Sequence, residues 1–143
     1  MALPDISSLS TIASIGGGPI SGGWTAHFLA RGFDVRAYIH DPAEETAFRD
    51  IIETAWPCLI ELGLASTASF DRLVVTSNLE EAVAGAEFIQ ESAVERLEEK
   101  QALYQKLGNI VGADIIIASS TSGLLMSDIQ PVSYTHLTLP TNR

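Results

Sequence analysis

Basic side chains and cysteine are what this sequence has least of. Its 143 residues carry 8 Lys and Arg against 18 Asp and Glu, a formal net charge of −10. So acidic a chain offers no general surface to nucleic acid or to an anionic membrane. An anionic ligand must sit on backbone amides instead. The single cysteine, Cys58, excludes an internal disulfide and fits a reducing compartment, so a cytoplasmic location is expected. No apolar run reaches the length that spans a bilayer, and no basic–apolar–small pattern marks a secretory leader. Histidine is scarce too, at His27, His40 and His136. The apolar fraction of 46% is that of a soluble globular protein, in a chain of one-domain length with room for a real core.

Glycine is concentrated in one place. Residues 15–26 read Ile-Gly-Gly-Gly-Pro-Ile-Ser-Gly-Gly-Trp-Thr-Ala. Before them, Thr11-Ile12-Ala13-Ser14-Ile15 is short and β-branched, the pattern of a buried strand. After them, Trp24, Phe28 and Leu29 recur at helical spacing until Arg31-Gly32 stops the helix. Strand, glycine turn and helix together form the context in which a glycine fingerprint holds a dinucleotide. The candidate pyrophosphate cradle is Gly16, Gly17, Gly18, Pro19, Ile20 and Ser21. Gly16 makes the tight turn and Gly18 lets the backbone approach the phosphates. The helix N-terminus offers them free N–H groups. In the register Gly16-x-Gly18-x-x-Ser21, the third position is Ser rather than Gly, and its side chain is expected to crowd the helix–strand contact. Pro19 removes one donor but suits a first helical turn.

Asp34–Tyr38 reads as the second strand. An acid beyond such a strand holds the adenosine ribose hydroxyls, and Asp41 is the candidate, close to the expected spacing of about 20 residues from the glycine turn. A carboxylate there repels the 2′-phosphate of NADP, which favours NAD. Asp41-Pro42 is also a good helix start in its own right. From 42 to 63 the pattern is helical, with Phe48, Ile51, Ile52, Ala55 and Leu59 on one stripe; Trp56 reads as core, and Pro57 is expected to kink or divide the helix. Further strands are read at Leu73–Thr76, 87–90 and 115–118, with a short helix at 79–84 and a long polar one through Leu107. Strands alternating with helices predict an α/β fold, a Rossmann-type doubly wound parallel sheet. Its ligands gather at the carboxyl ends of the strands, where 16–21, Asp41, 91–95 and 119–122 all fall.

Four segments also carry a family likeness: 15–26, 38–42, Glu91-Ser92-Ala93-Val94-Glu95-Arg96 with Lys100, and Ala118-Ser119-Ser120-Thr121-Ser122-Gly123-Leu124-Leu125. Over roughly residues 10–130 the chain resembles the amino-terminal domain of NAD-dependent 3-hydroxyacyl-CoA dehydrogenases, above all the L-carnitine dehydrogenase and lambda-crystallin branch. The resemblance implies an NAD-dependent oxidoreductase that converts a 3-hydroxy group of L-carnitine or of a 3-hydroxyacyl-CoA to the ketone, as a homodimer when full length. It implies that Ser122 hydrogen-bonds the reacting oxygen near the nicotinamide and that Glu95 and Lys100 contact the cofactor. By residue type alone, Ser122 also reads as a helix cap, and Glu95 and Lys100 as a solvated helix face. The chain departs from the family at Ser21 and after the second strand. The family's acid falls two positions before Asp41, at Ile39, so Ile39-His40 reads as a two-residue insertion. Asp41 reaches the ribose only if the strand bulges.

Residues 132–141, Val-Ser-Tyr-Thr-His-Leu-Thr-Leu-Pro-Thr, match the translation of a transposase sequencing adaptor. The expected organisation is therefore an incomplete NAD-binding domain at 1–131 and read-through at 132–143, with the sheet truncated before its sixth strand and before the C-terminal helical domain. On that reading His136 is not catalytic, and the chain alone does not turn over. The fifth strand is left as an open edge, which the Val-, Thr- and Tyr-containing tail is able to pair with. Only Arg49 and Arg72 supply basic charge between the second and third strands, which favours carnitine over the anionic CoA. A non-catalytic NAD-binding protein of the lambda-crystallin type is the alternative. A dehydrogenase of 2-hydroxy acids or sugar nucleotides fits the 119–123 segment less well.

Overall fold

The computed structural model describes residues 5–129 and the backbone of 137–138. β1 (Thr11–Ile15) leads into α1 (Pro19–Ala30), β2 (Asp34–Tyr38), α2 (Glu45–Leu62), β3 (Leu73–Thr76), α3 (Leu79–Val83) and β4 (Phe88–Glu91). α4 (Leu97–Ile110), β5 (Ile116–Ser119), α5 (Met126–Ile129) and a two-residue β6 (Leu137–Thr138) follow. All pairings are parallel, in the order β3-β2-β1-β4-β5-β6. This is the doubly wound sheet that the alternation of elements predicts.

β1 lies at its centre, and from Ile12 to Ile15 every residue is buried. A strand covered on both faces has no polar side, which is why the sequence there does not alternate. Successive side chains still point to opposite faces. Ile12 joins Leu29, Val35, Phe48 and Ile52 on one face. Ala13 and Ile15 join Ile89, Tyr104, Leu107 and Ile117 on the other. After β3 the chain returns to the far side of β1, so the direction of winding reverses between β1 and β4. The crevice outside the carboxyl ends of those two strands is where such folds bind ligands.

One expectation changes. α2 runs through Pro57 undivided. Proline leaves the carbonyl four residues earlier, on Glu53, without its donor. Pro57 and Glu53 are both exposed, so water can serve that carbonyl. At the β5 edge the tail pairs as its composition allows: Leu137 and Thr138 lie beside Ile117 and Ala118. An uncovered parallel edge offers a row of free N–H and C=O groups, and this short extended segment fills part of it.

Candidate functional site

Gly16 ends β1 by donating its N–H to Tyr38 O at 2.9 Å, with φ at +126°. A Cβ on it would stand 2.6 Å from Ser92 O, so only glycine fits between β1 and the segment leaving β4. Gly18 is the N-cap of α1 in extended conformation, and Pro19 follows as the first helical residue. A Cβ at Gly18 would meet nothing within 4 Å, so the backbone borders open space there. No side chain caps the helix and no acid sits in its first turn. The free amides of Ile20 and Ser21 and the positive end of the helix dipole therefore suit a pyrophosphate.

Ser21 is fully buried, and its hydroxyl lies 3.0 Å from that of Ser14 on β1. The crowding expected at this position is thus accommodated by a polar pair between helix and strand. The tightest helix approach falls one residue later. At Gly22 a Cβ would stand 2.4 Å from Ile51 Cγ2 of α2.

β2 contains no bulge. It pairs with β1 residue for residue to Ile15–Tyr38, and Ile39 then donates its N–H to Thr76 O at 3.0 Å. Ile39 is buried. Asp41 Oδ1 accepts the Ala43 N–H at 2.9 Å and caps a 3-10 turn, Pro42–Glu44. The helix-start reading of Asp41 is thus realised, and its carboxylate already has a backbone partner.

The carboxyl ends of β4 and β5 meet around a buried acid, Glu91, to which sequence reasoning gave a place at a strand end but no role. Glu91 ends β4 with no exposure. Its Oε1 accepts from Lys100 Nζ and from the Ala93 N–H, both at 2.7 Å. Its Oε2 accepts from Tyr104 Oη at 2.6 Å and Ser119 Oγ at 2.5 Å. A buried charge is tolerated when paired and fully hydrogen-bonded, as this one is. Burial, with the carboxylate of Glu91 beside it, pushes the Tyr104 phenol far above its ordinary range.

Lys100 is 1% exposed and also lies 3.6 Å from Glu95 Oε2. Glu95 in turn gathers the turn after β5. Its Oε1 accepts from the Thr121 hydroxyl, from the Ser122 N–H at 3.0 Å and from the Gly123 N–H at 2.9 Å. Burial works against ionisation of Glu95, but those three donors and the Lys100 ammonium outweigh it, and its carboxyl is pulled down to about 2. Ser122 is exposed at the rim. Ser92 and Ser120 hydroxyls lie 2.9 Å apart, which joins the glycine turn's neighbour to the Ser122 turn. Residues 16–21, Glu95, Lys100 and Ser122 thus come together along one edge.

His27 lies within α1 and His40 follows β2; His136 and the rest of the 132–143 segment, apart from the backbone of 137–138, lie outside the described residues. Among the described residues no group of three or more His, Cys, Asp or Glu is placed to hold a metal ion, and no helix is long and apolar enough to cross a membrane.

The L-carnitine dehydrogenase of Streptomyces coelicolor is 52% identical to this chain over 119 residues, covering 83% of the chain and 37% of that protein. That of Streptomyces griseus is 55% identical over 121 residues, covering 83% and 36%. The chain therefore spans well under half the length of these relatives. Among solved structures, an NAD+-dependent 5-formyl-3-hydroxy-2-methylpyridine 4-carboxylic acid 5-dehydrogenase superposes with a TM-score of 0.78 at 29% identity, covering 87% of this chain and 41% of that one. The 3-hydroxybutyryl-CoA dehydrogenase of Escherichia coli superposes with a TM-score of 0.74 at 25% identity, covering 85% and 26%. The family described as 3-hydroxyacyl-CoA dehydrogenase, NAD binding domain, matches residues 11–136. With that match, the glycine turn and the serine turn at the switch point belong to an NAD-binding domain of the 3-hydroxyacyl-CoA dehydrogenase family.

Proposed function

We propose that the whole protein oxidises the 3-hydroxy group of L-carnitine to the ketone with NAD. The observation that carries this reading is the run of contacts from Gly16 through Ser92 and Ser120 to the turn that bears Ser122. It supports reading the Ser122 turn and the phosphate cradle as parts of one site. The relatives named as L-carnitine dehydrogenases, at 52% and 55% identity, support the substrate.

Gly16, Gly17, Gly18, Pro19, Ile20 and Ser21 form the cradle for the pyrophosphate. Ser122 holds the substrate oxygen. Glu95 fixes the Ser122 turn and, being 41% exposed, is able to touch the cofactor; Lys100, buried, serves it through Glu95. The acid for the ribose comes from the turn that Asp41 begins. NAD held on the 16–21 cradle would supply the hydride acceptor for the carbon that carries the hydroxyl. A hydroxyl is a poor base at neutral pH, so Ser122 positions the oxygen while a base elsewhere in the whole protein takes the proton. On this reading residues 132–143 are adaptor read-through, and sequencing the source DNA past codon 131 checks that directly.

The test is Ser122→Ala in the complete protein, with NADH formation followed on L-carnitine. The expected outcome is a kcat lower by about 10²-fold, the usual cost of one lost donor to a reacting oxygen, with NAD affinity within about twofold of the parent. An unchanged kcat would remove Ser122 from the chemistry.

A further inference from the structure

We propose that Glu44 is the carboxylate this chain presents to the adenosine ribose, and that Asp41 is the residue that positions it. The inference rests on the reading that NAD lies over the glycine turn.

Three observations lead to it. The first is the end of β2. The ladder runs without a bulge through the Ile39 N–H, and the residue there is a buried isoleucine whose Cγ2 lies 3.5 Å from where a Gly17 Cβ would be. That position is an apolar wall and has no acceptor to offer a sugar hydroxyl. The second is what Asp41 is doing. Its Oδ1 is bonded to the Ala43 N–H and its carbonyl accepts the Glu44 N–H at 3.0 Å, so both groups build the 3-10 turn. The third is where that turn delivers the next acid. Glu44 Oε2 stands 3.1 Å from the Gly17 Cβ position, closer than a real Cβ ordinarily tolerates. The carboxylate fits over the glycine turn because Gly17 has no side chain.

Glu44 is exposed, and it takes part in no ion pair among the described residues. The nearest basic residue along the chain after it, Arg49, is paired with Glu45. A carboxylate beside Gly17, with no cation to neutralise it, accepts from ribose hydroxyls and repels a phosphate carried on that same ribose, while the pyrophosphate is left to the free amides of Ile20 and Ser21 at the start of α1. The ligand chemistry it selects is a nucleoside with free vicinal hydroxyls, as in NAD, over one that is 2′-phosphorylated. The three-residue turn brings an acid to the glycine turn although the residue that directly follows β2 is the buried Ile39. Capping by Asp41 folds the chain back, so the acid arrives later in sequence, at the end of the 3-10 turn and the N-cap of α2.

The experiment is titration calorimetry of NAD and of NADP into the complete protein, its Glu44→Gln variant and its Asp41→Asn variant. Both changes are close to isosteric, and Asn keeps an oxygen for the Ala43 N–H, so folding is preserved. Glu44→Gln is expected to weaken NAD about tenfold or more, the range for hydrogen bonds to a charged acceptor, and to shrink the preference for NAD over NADP by a similar factor. Asp41→Asn is expected to leave NAD affinity within about twofold. An NAD affinity unchanged in Glu44→Gln, or lost equally in Asp41→Asn, would overturn the assignment. Failure of the unsubstituted protein to bind NAD would instead overturn the reading on which it rests, a result visible before either variant is made.

Discussion

Ser21 shows how far single residues could be read. The sequence identifies it as the third fingerprint position and predicts crowding there. The structure supplies Ser14, seven residues earlier on β1, as its buried partner at 3.0 Å. A pair formed between a strand and the helix after it leaves no mark in composition, so the sign of the effect was illegible. Ser21→Gly is therefore expected to destabilise the complete protein by about 1–3 kcal/mol, because it strands the Ser14 hydroxyl in the core and adds a helical glycine. NAD affinity is expected to stay within about twofold. Urea unfolding measures the first and calorimetry the second. Unchanged stability would mean that the serine pair contributes nothing. Asp41 is a similar case. Its cap was readable from Asp-Pro, whereas the reach of Glu44 to Gly17 depends on a three-residue turn that spacing does not reveal.

At the scale of elements, β1 and β3 fall where their β-branched runs put them and β2 where Val35 and Ala37 alternate with polar residues; β1 alone of the three is buried on both faces. α2 is legible as a stripe, and it is not divided at Pro57, where Pro57 and Glu53 are both exposed. α4 held the subtler signal. Lys100, Tyr104 and Leu107 stand at i, i+4 and i+7 and form its buried face, so a lysine on that stripe needed a buried acid to meet it. That acid is Glu91, and through Lys100 the helix reaches Glu95 and the serine turn. The latch has a pH signature. Glu95 is held at about 2 against an ordinary 4.5, so its folded form binds its proton less readily than the unfolded chain does. The stability it contributes is complete above pH 4.5 and is lost as pH falls towards about 2. The stability gap between the complete protein and its Glu95→Gln variant is expected to be constant above that window and to close within it, read from urea midpoints at stepped pH. Solvent at the half-open carboxylate keeps the gap modest. A gap that stays the same down to pH 2 would detach Glu95 from the latch.

Across the molecule, the convergence of glycine, acid and serine segments at strand ends was legible because the alternation of elements fixes which ends share an edge. The order β3-β2-β1-β4-β5 then sets the glycine turn of β1 beside the end of β4. The buried core of that edge was not legible, because it joins residues from β4, α4 and β5 that are far apart in sequence. The most direct measurement is kcat/KM of the complete protein, with NAD, for L-carnitine and for 3-hydroxybutyryl-CoA side by side. NADH formed from L-carnitine at least about 10²-fold more efficiently, a gap of roughly 2.7 kcal/mol in transition-state binding, is the expected result. Efficient turnover of the CoA thioester with none of L-carnitine would contradict the account.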